Sequence, residues 1–331
     1  MWRVCGPVAL YKGGMISLQG IHMFGLRLDG VGFSAWRAAG WLLATAGLAG
    51  VSGCAFHDFL QEPRANELKE TVQVLTEDGR LVTVLASKPW EVKSQTRPTG
   101  LNTGEQLVGM DYRVARGMLY ALGRSGQVVV LDADTQRWQP VGNGRLQTGL
   151  VGARFGFDFN PALDRIRVVS NLGQNMRLHP DTGLQVDGDP QTPGVQADPD
   201  LRYAPGDAGE GQRPDVVATA YTYNSQNDKI TTNYVIDMAR SALVMQGSKE
   251  GAEPVESPNL GGLRTVGSLG VSGMTNASFD ISDVRNTALM AATTEADPRT
   301  RLYRINLETG QATLLGTVAD GARIVGMAIQ P

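Results

Sequence analysis

The sequence predicts an all-β protein folded as a β-propeller, and three observations carry that prediction. From Thr71 to the end, short runs rich in Val, Ile, Leu, Thr and Tyr alternate with Gly, Asn and Asp turns, and no amphipathic helix pattern interrupts them. Those runs recur in groups of four, in one order, several times along the chain. The two ends of this region carry complementary fragments of the same group. Glycine agrees with the reading: 41 of the 331 residues are glycine, spread at short intervals without a collagen-like period, as many tight turns require.

Residues 1–53 read as a lipoprotein signal peptide, within which residues 1–22 precede a second start at Met23 and are expected to be an over-called beginning. No charge occurs from Ala38 to Gly53, after Arg27 and Arg37. That run is shorter than the ~20 residues a stable membrane span needs. It ends in Val51-Ser52-Gly53-Cys54, which resembles a bacterial lipobox. The resemblance implies cleavage before Cys54 and a lipid on its thiol. Several acyl chains on one residue anchor firmly where a single chain is marginal. Ala55 follows with no aspartate to act as an inner-membrane retention signal, so the outer membrane is expected, with the body facing the periplasm. A buried helix with an incidental cysteine is the plain alternative. Residues 54–70 form a tether, and residues 71–331 form the propeller domain.

Within that domain the first complete group is Leu107–Arg113, Met118–Leu122, Val128–Asp132 and Trp138–Gly142. A second is Phe155–Phe159, Ile166–Ser170, Asn175–His179 and Leu184–Val186. A divergent copy runs from Val216–Tyr223 to Leu263–Gly267, and a last one is Ser278–Ile281, Ala288–Ala292, Arg301–Asn306 and Ala312–Gly316. Ile324–Ile329 matches a first strand with no chain left to complete it, while Thr71–Thr76 and Arg80–Leu85 read as second and third strands lacking a first. Pairing of these half-units closes the ring and removes exposed edges. Roughly 260 residues over five units gives ~52 each, near the ~40–50 of ordinary blades. Five blades are expected, with six as the alternative.

The strings Leu107–Arg113, Phe155–Pro161, Asp164–Ser170 and Gly173–Leu178 together resemble the bacterial family known as domain of unknown function 4394. The resemblance covers residues 71–331 and continues through Leu201–Asp207, Ala220–Asn224 and Leu302–Gly310. It implies the extent of the domain and no particular activity.

Several function classes lose their basis in composition. Thirty Lys plus Arg against 33 Asp plus Glu give a net charge of -3, so no basic footprint for nucleic acid exists. Only Cys5 and Cys54 are cysteines, and after cleavage only His57 and His179 remain, which leaves no cysteine metal site and argues against a Ser-His-Asp triad or a histidine zinc site. Gly142-Asn143-Gly144 lacks the third glycine and the helix of a dinucleotide loop and reads as a turn. Asp132-Ala133-Asp134 and Asp187-Gly188-Asp189 do not continue into twelve-residue calcium loops and read as solvated turns.

One feature recurs by position. Asp111, Asp158 and Asp280 occupy equivalent places in three first strands, with Thr222 and Ala328 expected at the matching places of the other two. First strands line a propeller's central channel, so these form a candidate channel site of Asp111, Asp158, Asp280 and Thr222. Three carboxylates close together repel unless they share protons or bind a cation, and hard oxygen ligands suit Ca²⁺ or Mg²⁺. The structural alternative is that each accepts main-chain N–H groups at a blade junction. Residues 187–215 hold seven acids and five prolines without a strand-like run, which reads as an insertion or a binding loop. Arg165, Arg167, Arg177, Tyr203 and Tyr221 are the candidate binding surface. The body as a whole reads as a non-catalytic binding or scaffolding module for an envelope protein or glycan. The alternative is a channel hydrolase acting on a lactone or a glycan through the carboxylates.

Overall fold

The computed structural model describes residues 62–143 and 146–331; the segment expected to be a signal peptide and Cys54 lie outside the described residues. Blade 1 holds β1 (Thr71–Thr76), β2 (Leu81–Leu85) and β3 (Lys88–Thr96). Blade 2 holds β4 (Leu107–Arg113), β5 (Met118–Gly123), β6 (Val128–Asp132) and β7 (Arg137–Pro140), and blade 3 holds β8 (Phe155–Asn160), β9 (Arg165–Ser170) and β10 (Asn175–Leu178). Blade 4 takes β11 (Arg202–Tyr203), β12 (Val216–Tyr221), β13 (Asn233–Asp237), β14 (Ala242–Gln246) and β15 (Gly262–Ser268). Blade 5 takes β16 (Met274–Ile281), β17 (Ala288–Thr294), β18 (Arg301–Ile305) and β19 (Ala312–Thr317), after which β20 (Ile324–Ile329) returns to blade 1. The described residues contain no α-helix, only three short 3₁₀ turns.

Five blades form, and the ring closes as the half-units require. β20 lies antiparallel beside β1, with Val74 opposite Met327, so the last strand of the chain is the innermost strand of the first sheet. The inner strands then touch in a cycle: β4 meets β8, β8 meets β12, β12 meets β16, β16 meets β20, and β20 meets β4. Both faces of each blade are covered by neighbours, which is why β8, β12 and β13 are buried at every position and show no polar-out alternation.

An apolar layer fills each junction. Leu75 and Leu81 meet Leu119 and Trp138 between blades 1 and 2, and Tyr120 and Leu122 meet Phe155, Phe157 and Phe159 between blades 2 and 3. Val169 meets Val216 and Val244 between blades 3 and 4, Ile236 meets Phe279 between 4 and 5, and Leu289 meets Val72 and Ile324 where the ring shuts. Each such side chain contributes ~1.5–3 kcal/mol by leaving water.

Toward the axis the inner strands converge, and small residues make room. A Cβ on Gly156 would lie 2.6 Å from the Thr219 nitrogen, and one on Gly326 would lie 2.9 Å from Met110 Cγ. The Gly-x-Asp spacing of the inner strands therefore has a steric half, the glycine, and a polar half, the aspartate.

Three expectations change. The fourth strand of blade 3, Leu184–Val186, is reduced to a bridge between Leu178 and Gln185. Blade 1 gains an outer strand, β3, whose Glu91–Gln95 stretch is exposed and gave no apolar alternation to read. The 187–215 insertion is not free of strand: β11 runs parallel to β15 and covers the outer edge of blade 4.

Candidate functional site

At the axis, Asp111, Asp158 and Asp280 come together, each with an oxygen within 4.8 Å of the others'. All three are buried, with exposures of 5%, 3% and 5%. Their placement follows from strand alternation: Gly156, Asp158 and Asn160 face blade 4, while the phenylalanines between them face blade 2. Asp111 accepts the Phe159 N–H at 2.8 Å, Asp158 accepts the Tyr221 N–H at 2.9 Å, and Asp280 accepts the Ile329 N–H at 2.5 Å. Each carboxylate thus reaches the next inner strand in the ring.

Two inner strands carry alanine instead, Ala220 and Ala328, and there the following aspartate compensates. Asp280 also takes the N–H of Ile281 at 2.6 Å, and Asp111 also takes a main-chain hydrogen bond from Tyr112. Three carboxylates thereby serve five N–H groups, one from each inner strand. This register corrects one expectation. Thr222 is not the counterpart of the aspartates; Ala220 is, since the Asp158 bond goes to Tyr221, the residue after it, as the Asp280 bond goes to the residue after Ala328. Thr222 sits two residues on, where its hydroxyl accepts the Thr232 N–H at 2.9 Å. Blade 4 lacks an acid at this place, so nothing in its sequence fixed the register.

Burial, followed by repulsion from neighbouring carboxylates, pushes Asp111 and Asp158 well above the ordinary carboxylate range. Burial and the nearby Asp283 push Asp280 up to about 8, and burial lifts Asp283 itself to about 7. Asp283, in the turn after blade 5's inner strand, acts on all three carboxylates by charge repulsion, and the repeat pattern did not show it because it lies beyond the equivalent positions.

A second feature lies between blades 3 and 4, where Arg165, Arg167, Arg177 and Tyr221 line a cavity of about 270 Å³. Arg167 is its anchor and is 2% exposed. Its Nε donates to the Tyr221 hydroxyl at 3.1 Å, and its Nη1 donates to Asn175 at 2.8 Å and to Asp198 at 2.8 Å. Nη2 donates to Asn259 at 2.5 Å. Arg177 donates to the same Asp198 at 2.7 Å, so two guanidinium groups share one carboxylate. At the rim, Arg165 donates only to main-chain carbonyls, of Leu163 and Asp164, and Lys229 makes no ion pair among the described residues. Glu256 is paired with Arg264 at 2.6 Å.

A larger cleft of about 800 Å³ runs between blades 1 and 2, but its polar groups answer one another. The Tyr112 hydroxyl donates to Gln73 at 2.8 Å and accepts from Gln330 at 3.2 Å, and Gln139 donates to Asp132 at 3.0 Å. Asp132 also accepts the N–H groups of Asp134 and Thr135, the turn role expected of it.

A family model described as Domain of unknown function (DUF4394) matches residues 80–328, three quarters of the chain. The chain belongs to this family. No curated protein matches the sequence of this DUF4394 member. Among solved structures, the nidogen/laminin complex is similar with a TM-score of 0.43 and 9% identity over 79% of this chain and 98% of that one. Hydrazine synthase from Kuenenia stuttgartiensis gives a TM-score of 0.36 and 11% identity over 62% of this chain and 47% of that one.

Of the five residues expected to form a binding surface on this DUF4394 propeller, Tyr203 stands apart. Its hydroxyl donates to Asp237 at 2.7 Å and its ring lies under Arg240, with 5.0 Å from the guanidinium carbon to the centroid, on the outer edge of blade 4. Lys229 and Asn259 line the cavity and carried no sequence signal, nor did Asp198, which lies behind the lining and pairs with Arg167 and Arg177; Asp198 and Asn259 reach Arg167 from 31 and 92 residues away in sequence.

Proposed function

We propose that this DUF4394 propeller is a non-catalytic binding module of the bacterial envelope, held on the outer membrane through lipid at Cys54 and facing the periplasm, with its ligand taken up between blades 3 and 4. The observation that carries the reading is the gathering of Arg165, Arg167, Arg177 and Tyr221 around one cavity, with the buried Arg167 fixed by four neighbours. A charged group held so rigidly is pre-organised for recognition, because little freedom is lost when a ligand meets it. Scaffolding of an envelope protein or glycan belongs to the same proposal, since a rigid ring on a lipid tether serves both.

The experiment is a melting-point screen of the full chain against a panel of small ions and neutral molecules, beside Ala162→Trp, which fills the cavity from an adjacent turn. A ligand specific to the folded state raises stability by about RT ln(1 + [L]/Kd). At least one compound should raise the melting point of the parent and leave the variant unmoved. A panel without effect on the parent sinks the binding reading. Anchoring is tested separately: a fatty-acid analogue should label the parent and not Cys54→Ala, and equal lack of labelling removes the lipid.

A second reading has one observation in its favour, the convergence of three buried carboxylates. There Asp111, Asp158 and Asp280 hold Ca²⁺ or Mg²⁺, as in a channel hydrolase of lactones or glycans. Their near-complete burial closes the oxygens to a saccharide, and their service to five N–H groups accounts for them without an ion. Melts with calcium, magnesium and chelator decide: an ion-dependent shift abolished in Asp158→Asn supports the site, and unchanged melting with every ion removes it.

A further inference from the structure

We infer that the cavity between blades 3 and 4 takes a small organic anion with an apolar body, an inference that rests on the binding reading above and adds the chemical class of the ligand. Charge comes first. Arg165, Arg167, Arg177, Lys229 and Lys249 line the cavity against Glu250 and Glu256. Lys249 is paired with Glu308 and Glu256 with Arg264, while Asp198 neutralises only one of the two guanidinium groups it joins. Counting the unpaired charges, one from the Arg167–Arg177 pair, Arg165 and Lys229 stand against Glu250 alone, which leaves a surplus of positive charge in a recess walled by low-dielectric protein. Such a recess concentrates anions.

The polar floor fits an acceptor-rich group rather than a donor. The Tyr221 hydroxyl receives Arg167 Nε and still carries its own proton to donate. Arg165 has donors beyond the two main-chain contacts of its Nη1, and the Lys229 ammonium has three. A carboxylate, sulfonate or phosphate satisfies these groups, whereas a cation or a hydrogen-bond donor does not.

The apolar part follows from the rim. Leu163, Ile230 and Val255 are exposed at 64%, 36% and 79%, and all three border this one cavity, together with Pro258. Large exposed hydrophobic residues scattered singly need no explanation, but three around a cationic recess form a patch that only an apolar ligand surface would cover. The large cleft between blades 1 and 2 lacks both features: no Lys or Arg lines it, and its amides are already paired. A cavity of about 270 Å³ holds a molecule of one or two rings or a short acyl chain, just below the ~300–1,000 Å³ common for ligand sites.

The test uses the full chain with Cys54→Ala, to keep it free of detergent, and three probes. These are 8-anilinonaphthalene-1-sulfonate, its uncharged counterpart N-phenyl-1-naphthylamine, and inorganic phosphate. Binding is read by fluorescence for the two dyes and by competition for phosphate. The sulfonate should bind at one site, at least ~10-fold tighter than the amine, with phosphate a weak competitor. Lys229→Gln and Arg165→Gln, both at exposed or half-buried positions that leave the blades intact, should each weaken the sulfonate ~3- to 10-fold, and added salt should weaken it further. Equal binding of the sulfonate and the amine, unmoved by either variant and abolished by Ala162→Trp, overturns the anion class while leaving a ligand cavity. Phosphate competing as strongly as the sulfonate overturns the apolar body. Dye binding that survives Ala162→Trp, or none at all, overturns the inference and the cavity reading together.

Discussion

Asp158 accepts the main-chain N–H of Tyr221 at 2.9 Å, and the hydroxyl of the same tyrosine receives Arg167 Nε at 3.1 Å. One residue therefore joins the carboxylate cluster at the axis to the cationic floor of the cavity between blades 3 and 4. The two features share a strand, β12, whose position is set on one side by Asp158 and on the other by the apolar layer of blade 5.

That bond gives the first prediction. Asp158→Ala leaves the Tyr221 N–H buried without its acceptor and should destabilise the fold by ~1–3 kcal/mol. Asp158→Asn keeps an acceptor oxygen and removes a charge from a crowded site, so it should cost much less, and at alkaline pH it should stabilise. Urea unfolding of the three proteins at pH 8 measures the difference. An alanine variant as stable as the parent would show that the bond contributes nothing.

Acidity gives the second. A carboxyl whose folded pKa is raised holds its proton better in the folded state than in the unfolded chain, so folding stability falls as pH rises between the two values. For Asp280 that window runs from 3.8 to about 8, with Asp283 titrating at about 7 inside it. The ion-paired acids Asp78, Asp181 and Asp297, all lowered, act in the opposite sense but only near and below pH 4. The melting point should therefore decline by ~4–10 °C from pH 5 to pH 9, a cost on the order of 2–5 kcal/mol. Asp280→Asn, which keeps an acceptor for Ile329, should flatten the decline. A profile that rises across this range would contradict the assignment of the buried protons.

Much of this arrangement is visible in the sequence, for a physical reason. Inner strands approach one another around an axis, so each blade needs a small residue at the same register and each inner strand needs an acceptor for one N–H; Gly109-Met110-Asp111 and Gly156-Phe157-Asp158 display both needs directly, and Gly326-Met327-Ala328 displays the glycine alone. The register fails to show where the acceptor is supplied by a neighbour: Ala220 carries no signature, so the polar Thr222 two residues on stands out in its place. The cavity was half legible. Arg165, Arg167 and Arg177 fall on neighbouring strands and stand out by type, but Asn259 and Asp198 arrive from loops whose positions no local pattern encodes. Strand β3 was hidden because its outer positions face water, where hydrophobic alternation has no cause to appear.

Close packing at the axis gives the third prediction. Gly156→Ala would put a methyl group 2.6 Å from the Thr219 nitrogen and 2.8 Å from the Ala218 carbonyl carbon, both main-chain atoms that cannot turn aside. Separation of β8 from β12 should follow, with a loss of ~1–3 kcal/mol in denaturant unfolding. Unchanged stability would mean that the inner strands have slack.

Ring closure gives the fourth. Deletion from Arg323 onward removes β20, uncovers β1 and takes away the Ile329 N–H that Asp280 accepts. The truncated chain should lose several kcal/mol, a large part of a typical ~5–15 kcal/mol, and expose a sheet edge that promotes association. A truncation that melts with the parent would show that those strands close nothing.

The central claim, a ligand site between blades 3 and 4, is tested most directly by hydrogen–deuterium exchange of the full chain with and without saturating 8-anilinonaphthalene-1-sulfonate. Slower exchange is predicted in residues 161–165, 229–231 and 248–259, the segments that border the cavity, with blades 2 and 5 unchanged. Protection centred on residues 130–139 at the cleft between blades 1 and 2, or no local protection at all, would contradict it.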